Sequence, residues 1–297
     1  MNRGKRFALV GAAGYVAPRH LAAISALGHE LVAAFDPHDS VGVLDAYAPA
    51  AAFFTEYERF DRHLELLRRR GVGIDYLAVC SPNYLHDAHC RLGLRLGADV
   101  VCEKPLTLNV RNAHALQDLE RQTGRRVWCV LQARLHAEAQ RLGALVARAA
   151  PDRRFEVEID YVTPRGRWYD YSWKGDPERS GGVATNIGVH LFDLACAHFG
   201  AADAVALEAA TPRSCAGTLR CARADVRFAL SVGEPGDVAR PRRREFRVDG
   251  EAFDLTGGFE DLHRASYAEV LAGRGFGIAE SLPALAIVEQ IGPRFAA

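Results

Sequence analysis

The sequence predicts an α/β fold, in which a doubly wound parallel sheet is followed by an α+β domain built on a mostly antiparallel sheet. Three observations lead to this prediction. Over the first 130 residues, short apolar runs alternate with amphipathic segments, which is the pattern of consecutive βαβ units. Beyond residue 150, apolar and polar residues alternate one by one, as they do in one-sided strands. The length of 297 residues leaves room for two domains, which we place at residues 1–130 and 131–297.

Each element of the first domain is predicted from its own pattern. Apolar runs such as FALV and YLAVC are typical of strands buried on both faces of a parallel sheet. The segments between them have helical spacing, and one helix ends in three arginines that suit the negative end of its dipole. The predicted strands are 7–10, 31–35, 76–80, 99–102 and 127–131, and the predicted helices are 20–27, 59–70, 87–96 and 109–122.

The second domain shows a different pattern. The segment FEVEIDY at 155–161 alternates apolar and charged residues, which predicts a strand with one buried face. Similar alternation predicts strands at 219–232 and 244–248, and Asp249-Gly250 after the latter predicts a hairpin turn. Residues 233–244 are rich in Gly, Pro and Arg and are predicted to form a surface loop.

Composition and charge exclude several functional classes. Lys+Arg and Asp+Glu both number 37, so the formal net charge is zero and no overall field attracts nucleic acid or a membrane surface. No apolar run reaches the roughly 18 residues of a membrane span. The seven cysteines are odd in number and include no C-x-x-C pair, which indicates reduced thiols in the cytoplasm and no zinc site.

A glycine-rich turn follows the first predicted strand. It reads GAAGYV from Gly11 to Val16, and glycines at such a turn let the backbone approach a pyrophosphate at a helix N-terminus. Asp36 ends the second strand, where a carboxylate would accept hydrogen bonds from an adenosine ribose and repel a 2′-phosphate. Together they predict a Rossmann-type domain that binds NAD in preference to NADP. The alternative is an ordinary βαβ turn with a helix-capping or surface aspartate.

Further polar groups follow the strand YLAVC. Ser81 and Asn83 come directly after it, and ligands of open α/β sheets bind at this edge; turn formation and helix capping are the alternative roles. His86 and His89 have the i,i+3 spacing that a metal could use. No third ligand lies near them in the sequence, so packing or a solvated helix face is the preferred interpretation and no metal is expected.

The segment VVCEKPL places a charged pair at the end of another buried strand. Pro105 cannot donate to a ladder and so ends the strand. At the ligand edge, the Lys104 ammonium could hydrogen-bond a substrate hydroxyl, and desolvation would lower its pKa. Glu103 would oppose that change if it were close. The alternative is a surface ion pair after a strand.

A polar stripe lies on an otherwise apolar helical segment of the second domain. Asn186, His190 and Asp193 fall at i, i+4 and i+7 in GGVATNIGVHLFD, which puts them on one face of a helix. Polar groups on such a face need partners or a cleft. A binding or catalytic site is the preferred interpretation, and a satisfied core histidine is the alternative.

Together these motifs resemble the Gfo/Idh/MocA family of NAD(P)-dependent sugar dehydrogenases over nearly the whole chain. The segments that carry the resemblance are GAAGYVAPRH, CSPNYLH, RLGADVVCEKPL, WKGDPERSGGVATNIGVH and SYAEVLAGRGFGI. More narrowly they look like the WlbA/WbpB branch, because Asn186 stands where an aspartate is frequent in the family. That branch oxidises UDP-N-acetyl-2-amino-2-deoxyglucuronate at C3 in bacterial lipopolysaccharide O-antigen synthesis.

The resemblance implies roles for individual residues. Lys104 and His190 are the two candidate acid/base groups, one of which takes the proton of the C3 hydroxyl, and the choice between them stays open. Asn186 would orient the sugar without titrating. The implied cofactor contacts are Gly11, Ala13, Gly14, Tyr15, Val16, Asp36, Ser81, Asn83, His86, Glu103, Lys104 and Gln132, and the implied substrate contacts are Lys104, Arg165, Trp168, Tyr169, Lys174, Asn186 and His190.

The cations and aromatics of the segment 163–179 suit a uronate, a diphosphate and a nucleotide, and a solvated loop charge is the alternative role for each single arginine. The resemblance also implies a homotetramer and, in some relatives, recycling of NADH by 2-oxoglutarate. Two alternatives remain. One is an NAD-dependent dehydrogenase of another sugar, inositol or nucleotide sugar, and the other is a non-catalytic NAD-binding sensor.

Overall fold

The computed structural model describes residues 4–234, 236 and 242–292, which divide into two compact units. The first unit takes the described residues within Met1–Thr107, Arg111–Val130 and His263–Ile278. The second takes those within Leu108–Val110, Leu131–Leu262 and Ala279–Ala297. The predicted boundary at residue 130 puts residues 263–278 in the second domain, whereas the structure packs them with the first unit. The boundary itself stays a prediction.

The first unit is built on six parallel strands, as predicted, in the order β3-β2-β1-β4-β5-β6. Phe7, Ala8, Leu9 and Val10 of β1 are all fully buried, so both faces of this central strand are covered. The short strand β3 was not predicted, because three residues are too few to show a period. The strands are β1 Arg6–Val10, β2 Glu30–Phe35, β3 Ala52–Phe54, β4 Tyr76–Val79, β5 Asp99–Cys102 and β6 Val127–Cys129.

The order of these strands positions a ligand site. β1 lies between β2 and β4, so the chain leaves β1 towards β2 on one side while β4 pairs with β1 on the other. The loops that follow β1 and β4 therefore start side by side. In open α/β sheets this is the topological switch point where ligands bind.

The second unit is built on a six-stranded sheet in the order β12-β11-β7-β10-β9-β8. Only the β7 and β10 pair is parallel among the pairings described for this sheet, which confirms a mostly antiparallel sheet. Phe155, Val157 and Ile159 of β7 are buried and the intervening Glu156 and Glu158 are exposed, so one face covers a core. The strands are β7 Phe155–Val162, β8 Ala202–Thr211, β9 Ser214–Cys221, β10 Ala224–Ser231, β11 Arg243–Val248 and β12 Glu251–Asp254.

Two strand predictions in this unit had different outcomes. The single strand at 219–232 is wrong, because β9 ends at Cys221 and β10 begins at Ala224, with a tight turn at residues 222–223. The hairpin at Asp249-Gly250 is confirmed: Val248 pairs with Glu251, and both turn residues have positive φ, 49° and 82°. Of the predicted 233–244 loop, residues 235 and 237–241 lie outside the described residues.

Helices pack on both sheets, and the predicted helices of the first domain correspond to α1, α3, α4 and α5 as bounded below. In the first unit, Tyr267 and Val270 of α10 belong to the same buried cluster as Phe7 and Leu9. No helix in the described ranges is long and apolar enough to cross a membrane. The helices are α1 Ala17–Ala26, α2 Leu44–Tyr47, α3 Tyr57–Arg69, α4 His86–Arg95, α5 Val110–Thr123, α6 Ala137–Arg148, α7 Trp168–Tyr171, α8 Pro177–Ser180, α9 Val189–Phe199, α10 Leu262–Leu271 and α11 Ile278–Ile291.

Candidate functional site

The glycine-rich turn after β1 packs directly against the end of β4. Gly11 has φ of +90°, and a Cβ there would lie 2.6 Å from the carbonyl carbon and oxygen of Cys80. The Gly14 N–H donates to the Gly11 carbonyl at 3.0 Å. At position 11 only glycine can both adopt this positive φ and avoid the contact that a Cβ would make with Cys80. The turn therefore presents bare backbone at the start of α1, the arrangement that a pyrophosphate needs.

The N-terminus of α1 is open to a ligand. Val16 is its N-cap residue, and within the described ranges no side chain caps it. The preceding Tyr15 is 84% exposed. Since the first N–H groups of a helix attract anions, an uncapped terminus beside the glycine turn suits a phosphate group.

Asp36 is fixed beside the same turn. Its Oδ2 accepts the backbone N–H of Ala13 at 3.0 Å and its Oδ1 accepts that of His38 at 2.9 Å. The side chain is buried, with 6% exposure. Each carboxylate oxygen keeps a further lone pair that can accept a ribose hydroxyl. Asp36 and the glycine turn, which are far apart in sequence, are thus brought together as predicted, and they fit a dinucleotide.

Ser81 and Asn83 lie at the end of β4, where both are buried. The Ser81 hydroxyl and His89 Nδ1 are hydrogen-bonded at 2.8 Å. His86 lies between two backbone carbonyls, with Nδ1 2.6 Å from the Pro105 oxygen and Nε2 2.8 Å from the Ser81 oxygen. The imidazole of His86 therefore bridges the loops after β4 and β5, and its predicted contact with a cofactor stays a prediction.

Lys104 follows β5 and is partly buried. Burial lowers the pKa of its ammonium, and the neighbouring carboxylate of Glu103 opposes the shift. The Lys104 backbone N–H donates to Glu103 Oε2 at 3.2 Å. The Glu103 carboxylate therefore favours the charged form of Lys104, while burial favours the neutral form. A lysine whose pKa is lowered is suited to proton transfer near neutral pH.

Glu103 itself points into the first unit. Its Oε1 accepts from His20 Nε2 at 3.0 Å and from His263 Nε2 at 2.9 Å. Sequence reasoning missed both histidines, because His263 lies 160 residues from Glu103 and no local pattern joins them. The three side chains are also of metal-ligating types, with ligand atoms within 4.8 Å of one another.

Gln132, the remaining predicted cofactor contact, begins a short 3₁₀ helix in the second unit. Its side-chain oxygen is buried and accepts no hydrogen bond from the described residues. A buried amide oxygen without a donor is costly. This orphaned acceptor fits a ligand that supplies an N–H group.

The predicted polar stripe of the second unit separates into two roles. Asp193 is 1% exposed and receives two hydrogen bonds from Arg134, at 2.9 and 2.6 Å. Arg134 also donates to the Glu280 carbonyl, so Asp193 is a structural anchor of α9. His190, one turn earlier, is partly exposed and meets the Tyr161 ring edge to face at 5.6 Å.

Asn186 lies in a short π-helical segment, Ala184–Gly188, just before α9. Its neighbour Tyr169 is 2% exposed, and burial raises the pKa of the Tyr169 phenol while the contact with Asn186 opposes the rise. Tyr169 was predicted to touch the substrate. The structure places Tyr169 beneath the surface beside Asn186, and its direct contact with substrate stays a prediction.

Arg165, Trp168 and Lys174 form a cationic and aromatic group in the second unit, in which Trp168 is exposed and the two cations are partly buried. Trp168 is 50% exposed, with the Arg165 guanidinium and the Lys174 ammonium each 5.9 Å from its ring centre. Each cation is attracted to the face of the aromatic ring, and both cations are also of a type that binds anions.

Arg213 holds this segment, and sequence reasoning missed it. It donates to the carbonyl of Arg165 at 2.6 Å, to the carboxylate of Asp170 at 2.5 Å and to the carbonyl of Gly233 at 2.6 Å. A lone arginine between two strands carries no sequence signal for such a role. The forked guanidinium can make all three bonds at once.

Two protein-family models match this chain. A model described as "Oxidoreductase family, NAD-binding Rossmann fold" matches residues 5–130, and the GFO/IDH/MocA C-terminal domain matches residues 139–253. The WlbA (WbpB) dehydrogenase from Thermus thermophilus, crystallised with NAD and alpha-ketoglutarate, is 44% identical with a TM-score of 0.94, over 99% of this chain and 96% of that one. The chain belongs to the Gfo/Idh/MocA family of oxidoreductases.

Other Gfo/Idh/MocA relatives extend the comparison. The Thermus thermophilus enzyme crystallised with NAD and UDP-GlcNAcA is also 44% identical, with a TM-score of 0.92 over 97% of this chain and 94% of that one. The WlbA dehydrogenase from Bordetella pertussis shares the fold at 21% identity, with a TM-score of 0.80 over 98% of this chain and 96% of that one.

Curated relatives match over shorter stretches. The D-glucoside 3-dehydrogenase of Escherichia coli is 27% identical over 41% of this chain and 34% of its own length. The glucose-6-phosphate 3-dehydrogenase of Bacillus subtilis is 22% identical over 64% of this chain and 52% of its own length. The chain thus matches about a third to a half of the length of these curated relatives.

Proposed function

We propose that this protein is an NAD-dependent dehydrogenase that oxidises the C3 hydroxyl of UDP-N-acetyl-2-amino-2-deoxyglucuronate to the 3-keto sugar. The observation that carries the proposal is the 44% identity, over 97% of this chain, to an enzyme crystallised with NAD and UDP-GlcNAcA. The names of two curated relatives also specify oxidation at C3 of a sugar. They support the reaction class at lower identity, and the nucleotide sugar rests on the solved structures.

The residues of the first unit fit NAD. The backbone of the glycine turn and the N-terminus of α1 suit its pyrophosphate, and the Asp36 carboxylate suits an adenosine ribose. Asp36 would repel a 2′-phosphate, which favours NAD over NADP. When bound, the nicotinamide supplies the acceptor for the hydride that leaves C3.

The chain supplies the proton acceptor for the C3 hydroxyl. We assign this role to Lys104, because burial lowers the pKa of its ammonium and so enlarges the neutral fraction that can take a proton. His190 is the second candidate, with Asn186 as a neutral group that orients the sugar. Arg165, Trp168 and Lys174 suit the uronate and diphosphate of the substrate.

The test is a single incubation with a matched inactive control. UDP-N-acetyl-2-amino-2-deoxyglucuronate, NAD and 2-oxoglutarate are mixed with the protein, and the sugar is analysed by mass spectrometry for the loss of two hydrogens. We expect the oxidised sugar with the unchanged protein and none with Lys104→Met, while the Kd for NAD changes by no more than a few fold. Absence of the oxidised sugar with the unchanged protein rejects this substrate.

The wider setting belongs to the same proposal. A 3-keto nucleotide sugar suits lipopolysaccharide O-antigen synthesis in the cytoplasm, and the seven cysteines, all buried and unbridged, suit a reducing compartment. We propose 2-oxoglutarate as the oxidant that recycles NADH, since a similar enzyme was crystallised with it. We also propose a homotetramer, and sedimentation velocity would reject it by giving the mass of a monomer.

A further inference from the structure

A buried polar cluster joins three elements of the first unit behind Lys104. Glu103 follows β5, His20 lies on α1 and His263 lies on α10. The exposures of their side chains are 10%, 0% and 2%. Two imidazole nitrogens lie 3.0 and 2.9 Å from the same oxygen, Glu103 Oε1. The other oxygen, Oε2, accepts the Lys104 backbone N–H.

Hydrogen-bond accounting assigns the protons in this cluster. His20 Nδ1 lies 2.8 Å from the Tyr267 hydroxyl. If His20 donates its Nε2–H to Glu103, its Nδ1 can accept the Tyr267 proton, and a neutral ring satisfies both contacts. His263 likewise donates its Nε2–H. Glu103 is then an ionised acceptor of three N–H groups, two from side chains and one from the backbone.

The charge states agree with this assignment. Burial lowers the pKa of His20, which keeps its ring neutral at pH 7. Burial alone would raise the pKa of Glu103, but the hydrogen bonds from His20 and His263 outweigh it and hold that pKa well below its usual range. A carboxylate that accepts several N–H bonds is expected to stay ionised in this way.

Several other titratable groups act on this cluster or on Lys104. Burial raises the pKa of the Cys80 and Cys102 thiols, so both are neutral at pH 7. Burial lowers the pKa of His86, and its two contacts with backbone carbonyls oppose that change. Tyr267 is also neutral, because burial raises the pKa of its phenol. The charge of Arg19 lowers the pKa of His20 further. Glu103 and then Cys129 oppose the lowering of the Lys104 pKa by burial.

We propose that His20 and His263 are positioning residues that hold Glu103 ionised and in place, and that Glu103 in turn sets the proton affinity of Lys104. Burial disfavours the Lys104 ammonium, and the fixed carboxylate limits that effect. The backbone bond from Lys104 to Oε2 ties the lysine to the same anchor. The inference uses the proposed function only where it assigns Lys104 to proton transfer.

The test measures the titration of Lys104 directly, without substrate. Competitive labelling with acetic anhydride across pH, followed by mass spectrometry of the peptide that contains Lys104, gives its apparent pKa in the intact protein. A neighbouring opposite charge shifts a pKa by about 1 to 3 units. We therefore expect Glu103→Gln to lower the Lys104 midpoint by about one pH unit or more. Glu30→Gln, at an exposed glutamate of the same unit, is the control and leaves it unchanged.

Histidine variants separate positioning from folding. His263→Ala removes one N–H donor, and we expect it to lower the Lys104 midpoint by less than Glu103→Gln does. His263→Gln supplies a replacement amide N–H and should restore the midpoint. An effect of packing alone would not be rescued in this way. If Glu103→Gln does not fold by circular dichroism, Glu103→Asp, which keeps the charge but draws it back, should give a smaller shift in the same direction.

Enzyme activity provides a second readout, which tests the proposed function separately from the titration of Lys104. If Lys104 accepts the proton, the acidic limb of kcat/KM moves with the labelled midpoint in Glu103→Gln. Loss of the proposed function would remove the activity but leave the labelling shift. An unchanged Lys104 midpoint in Glu103→Gln overturns the inference. Two other results would also overturn it. One is one equivalent of metal in the purified protein that is bound through His20 and His263 and removed by a chelator. The other is a tenfold change in the NAD affinity of Glu103→Gln without any shift of the Lys104 midpoint.

Discussion

At the scale of single residues, burial decides the chemistry of the histidines of the first unit. His86 and His89, whose spacing also suits a metal pair, each have another partner: His86 lies between two carbonyls and His89 is bonded to Ser81. Burial lowers the pKa of His89 to about 4. A buried histidine of this kind is neutral in the folded protein and takes up a proton on unfolding when the pH is low.

This gives a pH-dependent stability. The folded pKa of His89, about 4, lies below its unfolded value of 6.5, so the stability contributed by the neutral ring is complete above pH 6.5 and falls as the pH drops towards 4. Between pH 7 and pH 5 the loss is about 2 kcal/mol, at about 1.36 kcal/mol per unit. We expect the free energy of unfolding to fall by about that much more for the unchanged protein than for His89→Asn.

The measurement is denaturant unfolding at both pH values. His114→Asn, at an exposed histidine of α5, is the matched control and should lose as much stability as the unchanged protein. Equal losses for all three proteins would contradict a buried neutral His89.

The sequence predicts the site residues that a local pattern marks, at a strand end or on a helix stripe, and misses those that depend on contacts between distant segments. Asp36 and Lys104 stand at the carboxyl ends of strands, where a local pattern identifies them. His20 and His263 meet at Glu103 across 83 and 160 residues of chain, and Arg213 reaches Arg165 across 48. Such contacts depend on tertiary packing, which no local period records.

At the scale of elements, the segment from Arg165 to Lys174 is shaped by one clamp. Its backbone joins the second sheet through Arg165, whose N–H donates to the Val232 carbonyl at 2.8 Å. Arg213 adds side-chain bonds to Arg165 and Asp170, and its guanidinium lies 5.5 Å from the centre of the Tyr169 ring. The exposed Trp168 and the partly buried Lys174 therefore depend on a buried arginine for their position.

The clamp predicts a local change on substitution. Arg213→Lys keeps the charge but loses the planar fork, so it cannot hold Asp170 and the carbonyls of Arg165 and Gly233 together. We expect trypsin to cleave after Arg167 and Lys174 at least about tenfold faster, because proteolysis follows local opening. The control is Arg220→Lys, at an exposed position of β9. Trypsin should cleave this variant after Arg167 and Lys174 at the same rate as the unchanged protein.

Turn residues and side-chain burial explain why some strands of the second unit were predicted and others were not. The hairpin at Asp249-Gly250 was found because both turn residues favour positive φ. The turn between β9 and β10 consists of Ala222 and Arg223, neither of which marks a turn, so two strands were joined into one. The exposed, alanine-rich β8 has only partly buried side chains on its better-covered face and gave no apolar alternation.

At the scale of the whole molecule, the first unit is assembled from distant parts of the chain. α10 contributes Tyr267, fully buried, and Val270 to the cluster around Phe7 and Leu9. Tyr267 also bonds His20 on α1. The next helix, α11, belongs to the second unit apart from its first residue. Two consecutive helices thus belong to different units: α10 packs with the first, apart from Leu262, and α11 with the second.

This division predicts how NAD protects the amides of α10 and α11. A ligand that binds the folded first unit lowers the population of its open states, and every segment that opens with that unit gains protection. At a hundredfold excess of NAD over its Kd the gain approaches about 2.7 kcal/mol, or about a hundredfold in exchange rate. Hydrogen exchange measured by mass spectrometry should therefore slow in α10 and in β1 to β6 on addition of NAD, while α11 and β7 to β12 exchange as before. Slowing in β1 to β6 without slowing in α10 would show that the segment His263–Ile278 does not open as part of the first unit, and equal slowing of α10 and α11 would show that α11 opens with that unit as well.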